Sequence, residues 1–256
     1  MIKYLAGIFD AEGYVRIRRT NLKSYTPECK IYMCNERVVK LFAKRYNLEV
    51  KSDLRGINRQ KAYYVTLGVK QLKSSKFIEE LLPYLNEKKK QLQEIDYLLK
   101  GTKDKETCYQ DYMKAKECFD HPLSGELDFE YIAGVVDGDG WFTMFNADRA
   151  KGESIMNRFF IGLEQRYKPM VDYMLKFGGH VTIRKVKDRR HHRQTYEWKT
   201  GMRTMLALLE KIEPYLIEKR QKCQDFIRYI KKCNELDNLS KELLKQKDES
   251  RLEIKR

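Results

Sequence analysis

Strict alternation of apolar and polar positions marks Tyr14 to Arg19 as a half-buried strand. Val15 and Ile17 face one way, and Tyr14, Arg16 and Arg18 face the other. The stretch before it, starting at about Ile2, is apolar on every side, which suits a short helix buried on most faces. The pattern then predicts a strand over Lys30–Cys34 and a helix over Glu36–Tyr46, with Val39, Phe42 and Ala43 on one side. Strands over Val50–Arg55 and Ala62–Val69 and a helix near Leu82 complete a unit. The same order returns later. A second apolar helix ends near Asp139, followed by strands Trp141–Asn146 and Arg158–Leu163 and a helix over Lys168–Phe177. Strands His180–Lys187 and Thr195–Thr200 and a last helix close this second unit, and Gly178-Gly179 reads as a left-handed helix cap.

The resulting organisation is a first half over 1–100, a polar linker over 101–129, a second half over 130–231 and a charged tail over 232–256. A short helix is predicted in the linker around Gln110 to Cys118. The tail carries Leu236, Leu239 and Leu243 at helical spacing and reads as a peripheral amphipathic helix.

The two apolar helices end in nearly the same words. Leu5-Ala6-Gly7-Ile8-Phe9-Asp10-Ala11-Glu12-Gly13 is matched 127 positions later by Ile132-Ala133-Gly134-Val135-Val136-Asp137-Gly138-Asp139-Gly140. A second match, Leu82-Pro83-Tyr84-Leu85-Asn86-Glu87-Lys88-Lys89 against Glu213-Pro214-Tyr215-Leu216-Ile217-Glu218-Lys219-Arg220, shows that the repeat spans each half. Gly7 and Gly134 lack side chains and would let two helix backbones approach closely, while Gly13 and Gly140 are expected at positive φ.

Glu12 and Asp139 are the anomaly in this pattern. An anion at a helix C-terminus is disfavoured by roughly 0.3–1 kcal/mol. Packing the two helices side by side would also bring like charges together. A divalent cation held by oxygen ligands resolves both problems, with Mg²⁺ as the fitting ion. The repeat therefore predicts one metal site shared by an acid from each half.

Composition narrows the partner. Lys and Arg total 52 against 37 acids, a net charge of +15, which is the footprint of a polyanion binder and above all of nucleic acid. No apolar run reaches the roughly 18 residues of a membrane span. No removable leader precedes the first helix, so the protein is expected to act in the compartment where it is made. The six cysteines show neither CxxC nor zinc spacing, which points to free thiols in a reducing intracellular compartment. His191 and His192 sit among basic residues and read as phosphate- or solvent-facing.

The paired motif, the strand order and the Pro-Tyr-Leu helix closely resemble those of the LAGLIDADG homing endonucleases in their single-chain, two-motif form. The resemblance covers almost the whole chain up to about Ile230. It implies an α+β fold: a pseudo-twofold tandem repeat of two αββαββα units, with four-stranded antiparallel sheets forming a saddle over DNA. It implies metal binding by Glu12 and Asp139 with the backbone carbonyls of Ala11 and Gly138. It also implies catalytic lysines at Lys88 and Lys219 and a water-holding polar residue at the end of the second strand, Gln165 in one half and Asn35 in the other. Asp10 and Asp137 are then helix-end residues of the interface. Glu12 stands where the family usually has Asp.

The implied activity is hydrolysis of one phosphodiester per strand at a long asymmetric DNA target, leaving 3′ overhangs. The reaction needs Mg²⁺, with Mn²⁺ or Ca²⁺ able to substitute in binding, and the protein is expected to act as a monomer encoded by an organelle, phage or prokaryote. Alternation and charge nominate DNA contacts on the outer sheet faces. In the first half these are Tyr14, Arg16, Arg18, Lys30, Tyr32, Lys51, Arg55, Arg59 and Lys61. In the second they are Thr143, Arg158, Arg184, Lys187, Arg189, Arg190 and Lys199. Two other readings stay open, an intron-RNA-binding maturase and a non-catalytic DNA-binding regulator of the same fold.

Overall fold

The architecture was obtained as a computed structural model that describes residues 1–21, 24–55, 60–147, 156–187 and 192–253. The first half runs α1 (Ile2–Glu12), β1 (Gly13–Asn21), β2 (Ser24–Met33), α2 (Glu36–Tyr46), β3 (Lys51–Arg55) and β4 (Gln60–Leu67). The short helices α3 (Val69–Ser74) and α4 (Phe77–Leu81) follow. The second half repeats this order with α7 (Phe129–Asp139), β5 (Gly140–Ala147), β6 (Met156–Gln165), α8 (Lys168–Tyr173), β7 (His180–Lys187), β8 (His192–Gly201) and α9 (Met202–Ile212). Each half builds a four-stranded antiparallel sheet with equivalent strand orders, β1-β2-β4-β3 and β5-β6-β8-β7. The fold is α+β, and the duplication read from the motifs is a duplication of architecture.

Alternation explains how each sheet faces the core. In β1 Val15 and Ile17 are buried, as are Cys29, Ile31 and Met33 of β2 and Val65 and Leu67 of β4. In the second half Phe159, Ile161, Leu163 and Trp198 do the same, with Trp198 Nε1 donating to Gly178 O at 2.8 Å. One apolar cluster runs through both halves and includes α1 and α7.

β2, β6 and β8 begin earlier than the sequence reading has them, at Ser24, Met156 and His192, and three helices differ in their bounds. The linker helix, α6 (Lys105–Glu117), begins well before Gln110, because Asp104 caps it by accepting from Thr107 N at 2.9 Å. It follows α5 (Lys89–Lys100) and packs against the first sheet, where buried Tyr112 donates to Val15 O at 3.0 Å. The last helix, α10 (Arg220–Glu253), passes residue 231 without a break. The helix over Lys168–Phe177 is α8 followed by a 3-10 turn, Met174–Phe177, which ends at Gly178 and Gly179 with φ of 79° and 86°.

Gly13 and Gly140 differ from expectation as well. Both are extended, with φ of −72° and −78°, so a left-handed backbone is not what requires them. Space is the reason: a Cβ at Gly13 would lie 2.2 Å from Phe9 O, and one at Gly140 2.5 Å from Val136 O. All six cysteines are free thiols, and among the described residues no helix is long and apolar enough to cross a membrane.

Candidate functional site

The site is built where α1 and α7 pack against each other. Their backbones nearly touch: a Cβ at Gly7 would lie 2.1 Å from Tyr131 O, and one at Gly134 2.2 Å from Tyr4 O. Any larger residue at either position would push the helices apart. Two reciprocal hydrogen bonds fasten the contact. Tyr131 Oη donates to Asp10 at 2.7 Å, and Tyr4 Oη donates to Asp137 at 2.8 Å. The two tyrosines are themselves one repeat apart, just outside the stretch in which the repetition is most obvious.

Each of these aspartates also anchors the turn that carries a lysine. Buried Asp10 accepts from Asn86 N at 2.7 Å and Lys88 N at 2.8 Å. Asp137 accepts from Ile217 N at 2.7 Å, Glu218 N at 3.1 Å and Lys219 N at 2.9 Å. The lysine ammoniums then return to the motif helices. Lys88 Nζ donates to Asp10 O. Lys219 Nζ donates to Asp137 O, to Val136 O at 3.0 Å and to Gly138 O at 3.3 Å. A helix C-terminus leaves its last carbonyls unpaired and carries partial negative charge, so a cation there answers both.

Glu12 and Asp139 are the last residues of α1 and α7, immediately before β1 and β5. Burial, reinforced by the charge of Asp139, pushes the Glu12 carboxyl up to about 7 against the pull of Lys219 and Lys88. Burial raises Asp139 as well, opposed by its hydrogen bond from Gln165 and by the same lysines. The two lysines therefore do not neutralise the pair. Glu87 and Glu218, which precede the lysines in the two halves, deepen the deficit. Burial lifts Glu87 to about 7, and the charge of Glu218 reaches Glu12.

The donor set suits a hard divalent cation. It offers two carboxylates short of positive charge, with the carbonyls of two helix ends beside them, of which Gly138 O is touched only at 3.3 Å by Lys219 Nζ. Packing is tight as well: a Cβ at Gly138 would lie 2.4 Å from Ala11 Cβ and 3.2 Å from Glu12 Cγ. Among the described residues no group of three or more His, Cys, Asp or Glu forms a metal cage. The protein would thus supply two acids, leaving water and phosphate to complete the coordination.

The equivalence of Gln165 and Asn35 needs correction. Gln165 ends β6 and its Nε2 donates to Asp139 at 2.8 Å, while its buried Oε1 has no partner. Register pairs Gly140 with Leu163 in the second sheet and Gly13 with Ile31 in the first. Two residues further along, Gln165 therefore corresponds to Met33, not Asn35. Asn35 lies beyond the strand and caps α2, accepting from Val38 N at 3.3 Å. The two acids consequently have different neighbours, a polar amide for Asp139 and an apolar thioether at the matching position for Glu12.

On the first sheet, Tyr14, Arg16, Arg18, Lys30, Tyr32 and Lys51 occupy the rows facing away from the core. Lys30 Nζ stands 3.6 Å from the Tyr64 ring centre, and Tyr64 stacks on Tyr32. Lys61 belongs to the opposite row, that of Tyr63 and Val65, because alternation along β4 puts it there; its Nζ lies 5.1 Å from the Tyr63 ring centre. On the second sheet, Thr143 and Lys199 share the outer face with Phe160, over which Lys199 Nζ sits at 5.0 Å. Arg184 is on this face too, held by Glu197 and near Glu164. The side chains of Arg55, Arg158 and Lys187, and the whole of Arg59, Arg189 and Arg190, lie outside the described residues.

No protein-family model matches the chain, and no curated protein sequence does. Solved structures do. The meganuclease I-SmaMI bound to uncleaveable DNA aligns at a TM-score of 0.68 over 96% of this chain and 94% of its own, with 15% identity. The LAGLIDADG homing endonuclease I-GzeII in complex with its DNA target aligns at 0.65 over 96% of both chains, also with 15% identity. The LAGLIDADG meganuclease I-AabMI bound to uncleaved DNA gives 0.67 over 92% of both chains at 15% identity. A likeness of this kind is one of fold: the chain has the fold of these LAGLIDADG homing endonucleases.

Proposed function

We propose that this protein is a site-specific endonuclease that acts as a monomer and hydrolyses one phosphodiester in each strand of a long, asymmetric duplex, leaving 3′ overhangs. The observation that carries the reading is the meeting of Glu12 and Asp139, one from each half, at the ends of two packed helices that lead straight into the two sheets. Solved structures of the same fold hold DNA, and one of I-SmaMI was determined on its DNA target in the presence of calcium ions.

Glu12 and Asp139 would hold Mg²⁺, together with the Ala11 and Gly138 carbonyls. When bound, the cation supplies charge neutralisation at the phosphate and acidifies water for in-line attack. The chain's own residues do the rest. Lys88 and Lys219 add fixed positive charge beside the helix ends, where negative charge develops on the phosphate. Gln165 holds the Asp139 carboxylate in one orientation. The outer sheet faces bind the duplex, with basic side chains giving salt-dependent affinity and base-edge contacts giving specificity.

The test is to incubate the protein with a library of randomised linear duplexes in Mg²⁺ and sequence the new ends. Ends recurring at one long sequence, in both strands and at a fixed stagger, support the reading. Uncut duplexes, or the same ends from a Glu12→Gln/Asp139→Asn double variant, would sink it.

The difference between Gln165 and Met33 yields a second expectation. Only one of the two acids has an orienting amide, so a cation shared between them would be held off centre relative to the two scissile phosphates; the strands are expected to be cut at unequal rates and a nicked intermediate should accumulate. Outer partners of metal ligands typically contribute about 10- to 100-fold. Gln165→Met should slow the faster strand by an amount in that range and shrink the inequality. Equal rates in the wild type would contradict this account of the asymmetry.

A further inference from the structure

Arg184 sits on the outer face of the second sheet with half of its side chain exposed. Its Nε donates to Glu197 Oε2 at 2.9 Å and its Nη2 to Glu197 Oε1 at 2.8 Å. Glu197 is only 6% exposed and also accepts from Thr182 Oγ1 at 3.3 Å. Glu164, the register partner of Glu197, is held by Thr195 Oγ1 at 2.7 Å and comes within 3.7 Å of Nη1.

A guanidinium has five N–H donors in a rigid plane. Glu197 takes one on Nε and one on Nη2, which fixes that plane. The edge formed by Nη1 and Nη2 keeps two N–H groups, one on each nitrogen, with Glu164 too distant for a hydrogen bond. This edge is the fork that pairs with two adjacent acceptors, such as the O6 and N7 of guanine in the major groove. Phosphate offers two acceptors as well, but the local charge argues against it. Two carboxylates flank the one guanidinium, so it offers a phosphate less free positive charge than an unpaired arginine would.

We propose that Arg184 reads a guanine in the half-site bound by the second sheet, with Glu197 as the positioning residue that locks its plane. The inference rests on the DNA-cleaving function proposed above and adds a base and a position to it. It also gives the acid on this face a role: Glu197 restrains a charged side chain that would otherwise be free to reach for the backbone.

The experiment is affinity selection of randomised linear duplexes by the full chain, repeated with Arg184→Lys and Glu197→Gln. The wild type should demand guanine at one position of one half-site. Arg184→Lys keeps the charge and loses the fork, so preference at that position should fall roughly 5- to 150-fold while every other position is unchanged. Glu197→Gln should weaken the same preference yet raise affinity for unselected duplex, because a negative charge has left the DNA face. A merely structural loss would not give that pair of opposite changes. The proposal is overturned if Arg184→Lys leaves the base profile intact, or if it lowers affinity evenly across sequences as a phosphate contact would. If the wild type enriches no sequence at all, the endonuclease reading fails first; enrichment that ignores Arg184 defeats this inference alone.

Discussion

Asp139→Asn is expected to slow cleavage of both strands by roughly a thousand-fold, a loss of several kcal/mol of transition-state stabilisation. Duplex affinity should change little. The substitution keeps the shape of the side chain and its contact with Gln165 while removing one of two charges that would hold the cation. Both strands should suffer if the two acids share one ion, in keeping with the reach of the Asp139 charge to the Glu12 carboxyl. Glu12→Gln should behave alike. The check is the single-turnover rate on each end-labelled strand of a selected duplex, read beside a binding isotherm. A fall confined to one strand would mean two independent sites, and an unchanged rate would remove Asp139 from the chemistry.

Gly134→Ala should cost more stability than a single added methyl group at an open site. Its Cβ would stand 2.2 Å from the Tyr4 carbonyl oxygen, with Ile8 N at 2.9 Å and Gly7 Cα at 3.1 Å. All three are backbone atoms, so no rotamer change relieves the overlap. The helices must separate, stretching the reciprocal bonds from Tyr4 and Tyr131 to the opposite aspartates. Overpacking of this kind costs about 3 kcal/mol. For a chain of this size that corresponds to a fall of roughly 6–12 °C in the thermal midpoint. Gly101→Ala is the informative control. Nothing lies within 4 Å of its added Cβ, so only the strain of its positive φ, 68°, is felt. Equal losses at both positions would refute the close-approach account.

Much of the fold is legible in the sequence because it is written twice. Strict alternation from Tyr14 to Arg19 gives both the strand and its buried face, and the repeated motif gives the partner helix. Asp104 at the start of α6 is readable as a cap, yet the polar composition of the linker hid the first residues of the helix behind it. The arrangement of the candidate site is legible where the repeat preserves chemistry, in that Glu12 and Asp139 end the packed helices and Lys88 and Lys219 return to them. It is not legible where the halves diverge. Asn35 is the polar residue nearest in sequence to the Gln165 position, but only strand register shows that Met33 occupies it.

Tyr4 and Tyr131 carry the same lesson in reverse. They fall one residue before the most obvious match, and extending the repeat by one step would have exposed them. Glu197 and Glu164 gave no sequence signal, because acids in so basic a chain look incidental until the sheet places them around Arg184.

The central claim is that one acid from each half builds a single cation site. The most direct measurement is calorimetric titration of Ca²⁺ into the full chain and into Glu12→Gln, Asp139→Asn and the double variant. At pH 8 the Glu12 carboxyl, pushed up to about 7, is ionised, and cation binding should weaken as pH falls through that value. The account predicts that each single substitution abolishes binding as fully as both together, the non-additivity of partners in one site. Losses that simply add, or a double variant that binds Ca²⁺ as well as the wild type, would contradict it.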